Sequence, residues 1–141
     1  MNSAQPDVPN ELRVVDDPGC QQMVGYRTEV FPSEGICRVK LDIEPRHLNK
    51  VGILHGGIVA MLLDVVCGNV AAIHFDPAGR SRLVTVSLNT NFVGATNEGR
   101  VEATASVTGG GKTLCHVAGE LQDEAGKTLA TATGVFRRIS V

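Results

Sequence analysis

Ile58-Val59-Ala60-Met61-Leu62-Leu63-Asp64-Val65-Val66-Cys67-Gly68-Asn69-Val70-Ala71-Ala72-Ile73 sets the architecture of this chain. The run has no alternation of apolar and polar residues and is too long for one strand. It is apolar almost all round, as a helix buried on most sides must be. Gly56-Gly57 introduce it, and Asp76-Pro77-Ala78-Gly79-Arg80 make a loop after it. Extended to Phe75, the run could be taken for a membrane span. It is at the short limit for one, contains Gly68, Asn69 and His74, and carries the carboxylate of Asp64 inside it. A buried helix of a soluble protein is the expectation, with no membrane partner.

The flanks read as strands. Before the helix, Gly25 to Phe31 and Ile36 to Ile43 are separated by the turn Pro32-Ser33-Glu34-Gly35, and Pro45 ends the second. After it, Leu83 to Phe92 forms a strand with Val84, Val86 and Leu88 expected on one face and Thr85, Ser87 and Asn89 on the other. Val101 to Val107 alternates, Gly109-Gly110-Gly111 breaks the run, and Leu114 to Leu121 follows. Asp123-Glu124-Ala125-Gly126-Lys127 is a hairpin turn into Leu129 to Ile139. Strand, strand, helix and four strands argue an α+β fold in which an antiparallel sheet curls around a single helix.

At 141 residues the chain fits one domain, assigned to residues 21–141, after an irregular arm at residues 1–20 that holds three of the six prolines. The formal net charge of −2 offers nucleic acid no electrostatic attraction, and the absence of Trp leaves few platforms for stacking bases. Cys20, Cys37, Cys67 and Cys115 are far apart with no CxxC pair, so neither a zinc site nor a disulfide framework is expected. The N-terminal residues show neither a basic nor an apolar export segment, which points to a cytoplasmic protein with reduced thiols.

Asp64 is the residue that demands chemistry. A carboxylate inside an apolar helix is costly unless it is paired or serves a cleft. One reading makes it a base or nucleophile; the other ties it by a hydrogen bond to a loop or a helix kink. His55-Gly56-Gly57 precede the helix, where free N–H groups and the helix dipole can hold an oxyanion. Gly57 and Asp64 stand seven residues apart, about 10 Å along one helix face. A base and an oxyanion donor must both reach one carbonyl within a few Å. Two copies of the helix side by side could pair Gly57 of one with Asp64 of the other, so a site shared across a dimer is expected.

His55-Gly56-Gly57-Ile58-Val59-Ala60-Met61-Leu62-Leu63-Asp64 resembles the helix-start motif of hotdog-fold acyl-CoA thioesterases of the phenylacetate-degradation type, with Leu62 and Asp64 in the last two places of HGG-x4-L-x-D. The resemblance covers about residues 45–139. It implies hydrolysis of an acyl-CoA to a free acid and coenzyme A, with no cofactor beyond the coenzyme A of the substrate. It implies Asp64 as the catalytic carboxylate and the Gly57 N–H as donor to the thioester oxygen. Asn49 corresponds to a residue that orients water or substrate, His55 to the histidine near the thioester, and Thr85 to a residue assisting the water. Val65 stands where other branches carry Glu, which favours the Asp-type branch. A homotetramer built from two dimers is implied as well.

Coenzyme A needs contacts for its phosphates. Arg80, Arg82, Lys112, Arg137 and Arg138 are the candidates, each equally readable as solvated surface charge. The resemblance places Gly111, Lys112 and Thr113 beside the pantetheine arm or nucleotide; Gly56, where glycine lets a carbonyl oxygen approach the backbone closely, is a further substrate-binding candidate. Gly109-Gly110-Gly111-Lys112-Thr113 is not a phosphate-binding loop of the nucleotide triphosphatases, because Ser106 falls where the first glycine belongs. His47, His74 and His116 lack metal-ligand spacing and read as structural or surface residues. The rivals are a hotdog hydratase or dehydratase and a non-catalytic acyl-CoA-binding domain; Asp64 argues against the latter.

Overall fold

A computed structural model describes residues 12–17 and 19–139. The chain runs through β1 (Arg13–Val15), α1 (Cys20–Val24), β2 (Arg27–Phe31), β3 (Ile36–Asp42), α2 (Gly56–Phe75), β4 (Leu83–Phe92), β5 (Arg100–Gly110), β6 (Leu114–Asp123) and β7 (Thr128–Arg138). The strands form one antiparallel sheet in the order β1-β2-β3-β5-β6-β7-β4. β3 lies within the sheet and β4 at its far edge, so α2 crosses the sheet face to join them. This is the expected hotdog fold, with the sheet wrapped around one long helix.

The helix explains its own composition. Leu62, Leu63, Val66, Cys67 and Ala71 are fully covered by the sheet. Facing them are Val39 and Leu41 of β3, Val101 of β5, Val117 and Leu121 of β6, and Phe136 of β7. Each fully buried Val or Leu contributes roughly 1.5–3 kcal/mol, so packing rather than helix propensity holds α2 in place. By length and apolar content α2 would pass as a membrane span; its packing on the sheet accounts for both. Gly119 of β6 lets the helix come close. A Cβ there would stand 2.9 Å from Cys67 Sγ.

Four sequence expectations are corrected. The helix takes in Gly56 and Gly57 and runs on to Phe75, because His55 caps it two residues earlier than the apolar run suggests. β5 continues through Gly109 to Gly110, carried past Val107 by a bulge opposite Val117 and His116. The stretch expected to be an irregular arm includes β1, paired antiparallel with β2 from Arg13 opposite Val30 to Val15 opposite Thr28; residues 1–11 lie outside the described residues. Gln21 holds this segment down, its amide donating to the carbonyls of Val15 and Tyr26. The faces of β4 are also reassigned. Thr85 pairs with Phe136 and Ser87 with Val135, so Val86 is an extra residue, a β-bulge. Leu83 and Leu88 pack against the core while Val84 and Val86 face outward. Ahead of the bulge, Thr85 therefore shares the helix-facing side with Leu83.

The loop ahead of α2 hangs on His47, which is buried. Its Nδ1 accepts the Glu44 N–H at 2.9 Å, so Nε2 carries the proton of the neutral ring and donates to the Val24 carbonyl at 2.6 Å. The His47 carbonyl in turn accepts the His55 N–H. One imidazole thus links α1 to the segment that begins the long helix.

Candidate active site

Asp64 lies on the side of α2 turned away from the core. It is half-buried, with Val65, Gly68 and Asn69 beside it. A fully buried carboxylate was the concern raised by the sequence; the fold meets it with a partner and an open cleft. Thr85 Oγ1 donates to Asp64 Oδ1 at 2.8 Å. The bond depends on the bulge at Val86, which leaves Thr85 facing the helix. A cleft of about 350 Å³ runs along this face, lined by Asp64, Gly68 and Asn69 of α2, Ser81 and Thr85 around the start of β4, and Phe136 of β7. Asp17 reaches the same cleft. Asn69, Ser81 and Asp17 carry no motif signal in the sequence.

The charge of Asp64 is felt by its neighbours. The Cys67 thiol is pushed up to about 12, by burial first and by Asp64 second. The phenol of Tyr26 is also raised, mainly by burial, with contributions from Asp17, Cys20 and Asp64.

The second group of expected residues assembles elsewhere. At the start of α2 a cleft of about 220 Å³ is lined by Asn49, Ile53, Gly56, Phe92, Thr96 and Leu129. A Cβ on Gly56 would meet the Phe92 ring at 3.4 Å. The Asn49 side-chain oxygen accepts the N–H groups of Val51 at 3.0 Å and Ile53 at 3.2 Å, which fixes the loop before the helix. His55 Nδ1 accepts the Gly57 N–H at 2.8 Å. This is a helix cap, and it occupies the donor that the resemblance assigns to the thioester oxygen. Asp64 and Thr85 thus line one cleft, Asn49 and Gly56 another, as the separation along one helix requires.

The basic candidates divide. Arg80 pairs with Asp76 at 3.6 Å within the loop after α2. Arg82, Lys112, Arg137 and Arg138 converge on the end of the sheet near the C-terminus of α2. Leu83 pairs with Arg138 and Leu114 with Arg137, the Thr113 carbonyl accepts the Arg138 N–H, and the Arg82 carbonyl accepts the Ile139 N–H. His74 Nε2 lies 3.2 Å from the Gly111 carbonyl, joining the helix end to the β5–β6 turn. His116 is exposed on β6.

Comparison with known proteins places this geometry. No curated protein sequence matches the chain. Among solved structures, the BH2602 protein of Bacillus halodurans, solved with CoA, is 31% identical over 77% of this chain and 70% of that one, with a TM-score of 0.70. A phenylacetic acid degradation-related protein of Ralstonia eutropha is 25% identical over 87% and 92%, with a TM-score of 0.75. The thioesterase HI1161 of Haemophilus influenzae shares the fold at 17% identity over 88% and 85%, with a TM-score of 0.79. The Thioesterase superfamily matches residues 51–130, more than half of the chain, from the loop before α2 into β7. With a long helix inside an antiparallel sheet and a carboxylate on the helix's open face, this chain belongs to the thioesterase superfamily.

Proposed function

We propose that the protein hydrolyses acyl-CoA thioesters, with Asp64 as general base or nucleophile. The carrying observation is the Asp64–Thr85 pair in an open cleft. Thr85 occupies one carboxylate oxygen and fixes the plane of the group. The other oxygen is left to take a proton from water or to attack the thioester carbon. The oxyanion is held by the Gly57 N–H of a second subunit, the thioester oxygen displacing His55 Nδ1 from that donor. Asn49, at the mouth of the helix-start cleft, orients the thioester or the water.

The open face of α2 and the edge strand β4 supply the contact between subunits. β4 is long, unpaired along one side and exposes Val84, Val86 and Phe92, followed by Val93. An exposed apolar edge of this kind seeks a partner strand. Two such dimers make the homotetramer that the resemblance implies. Arg82, Lys112, Arg137 and Arg138 of the subunit that supplies Gly57 suit the coenzyme A phosphates, which leaves the Ser81 end of the cleft beside Asp64 to the acyl group. The solved complex of the Bacillus halodurans relative with CoA supports that substrate class, and the Asp in HGG-x4-L-x-D favours the phenylacetate-type branch.

A panel of aryl and straight-chain acyl-CoAs, followed by release of free thiol, tests the reading. Turnover of at least one member is expected. Absence of thiol release from every member, in protein shown to be folded, would overturn it.

A further inference from the structure

The cleft beside Asp64 holds a polar atom that the fold leaves unserved. Ser81 Oγ is buried and has no hydrogen-bond partner, the one such side-chain atom among the described residues. Buried hydroxyls in native proteins are nearly always paired, because an unpaired one loses its bond to water without replacement. Ser81 lies on the connection leaving the C-terminal end of α2 and lines the same cleft as Asp64 and Thr85. Between the two ends the walls are Gly68, Ala72, Leu83 and Phe136, which offer no side-chain polar atom. Asn69 is turned to the helix, its amide donating to the Val65 carbonyl at 2.9 Å. A thioester carbonyl held at Asp64 would send its acyl group along this apolar middle toward Ser81.

We propose that Ser81 is a specificity-determining residue, its hydroxyl binding a neutral polar group, a hydroxyl or ketone, at the far end of the acyl group. The assignment rests on the thioesterase reading above. Neutrality follows from the lining: Asp17 and Asp64 both border the cleft, and neither Lys nor Arg does. An acyl group ending in a carboxylate meets two like charges in that lining, while the nearby Arg13 guanidinium, beside Gly79, is held at the Ala78 carbonyl. A plain hydrocarbon end leaves Ser81 Oγ buried and unpaired, the condition under which a site rejects an analogue lacking the hydrogen-bonding group.

The test compares three acyl-CoAs of each length through the short and medium range: unsubstituted, terminally hydroxylated and terminally carboxylated. At the length that reaches Ser81, kcat/KM for the hydroxylated member exceeds that for the plain one by roughly 10- to 100-fold, and the carboxylated member is the poorest. Ser81→Ala brings the hydroxylated-to-plain ratio to about one. Ser81→Cys, which keeps the volume without the hydroxyl, repeats the measurement should the alanine variant melt early. Preference for the plain member at every length, or an unchanged ratio in folded Ser81 variants, overturns the proposal. Calorimetric titration with the neutral primary amides of the hydroxylated and plain acyl groups reads the same contact without turnover. Loss of hydrolysis with every acyl-CoA while the hydroxylated amides still bind more tightly than the plain ones would therefore sink the thioesterase reading and not the Ser81 contact.

Discussion

Thr85 Oγ1 donates a hydrogen bond to Asp64 Oδ1 across 2.8 Å, joining residues 21 apart in sequence and on different elements. Regular alternation of β4 groups Val84 with Leu88 and Thr85 with Asn89 on opposite faces. The extra residue at Val86 breaks that parity, so that Thr85 and Leu88 both look toward the helix. A bulge beside a functional site commonly re-aims a side chain in this way.

If the pair is the reactive group, its members should fail unequally. Asp64→Asn should lower kcat by about a thousandfold or more, because the base or nucleophile is gone. Thr85→Val, which removes the hydroxyl at nearly constant volume, should lower it by roughly 10- to 100-fold, with Thr85→Ser restoring most of the loss. Steady-state kinetics on protein with unchanged melting temperature checks both. Asp64→Asn turning over at a near-normal rate would refute the assignment.

The division of the expected residues between two clefts calls for complementation. Gly57→Pro removes that residue's N–H in the first turn of α2, and the proline ring displaces the His55 cap, whose Nδ1 stands 3.0 Å from an added Cβ. Mixed with Asp64→Asn and reassociated at random, the two inactive chains should recover about a quarter of wild-type activity, since half the dimers carry one intact site of two. No recovery, despite subunit exchange shown by mass spectrometry, means that each chain carries its site alone.

Packing of helix on sheet sets a limit at Gly119. Its added Cβ would lie 2.9 Å from Cys67 Sγ and 3.4 Å from Leu63 Cδ2, with both side chains fully buried. Gly119→Ala should cost about 1–3 kcal/mol as overpacking. Adding Cys67→Ala should return part of that loss, a coupling visible in a denaturation cycle. Simple additivity of the two changes would show that Cys67 is not what blocks the site.

The thiols should separate by reactivity. Cys37 and Cys67 are pushed up to about 12 by burial, and Cys115 is raised by burial as well, whereas Cys20 is exposed. At pH 8 a thiol with such a pKa is thiolate in only about one molecule in ten thousand. Native alkylation should modify Cys20 and spare the other three, read by peptide mass spectrometry. The same shifts carry a sign for stability. The folded chain keeps protons that the unfolded chain gives up above pH 9, so stability is full below the ordinary thiol range and falls between about pH 9 and 12. A melting temperature that rises through that window would contradict it.

The sequence by itself determined the helix, the number of strands after it and Asp64 as the residue needing an explanation. Those follow from local patterns: an unbroken apolar run, alternation, Gly and Pro at turns. It also determined that Gly57 and Asp64 of one helix are too far apart for one carbonyl, because helical rise is fixed. The tertiary structure decided what local pattern does not encode. The bulge at Val86 depends on pairing with β7 and overturned the faces read from alternation. The cap formed by His55 on the Gly57 N–H, the buried His47 link and the unpaired Ser81 hydroxyl all depend on segments meeting in space. A residue's type says which bonds it can make; only the packed chain says which partners reach it and which water is shut out.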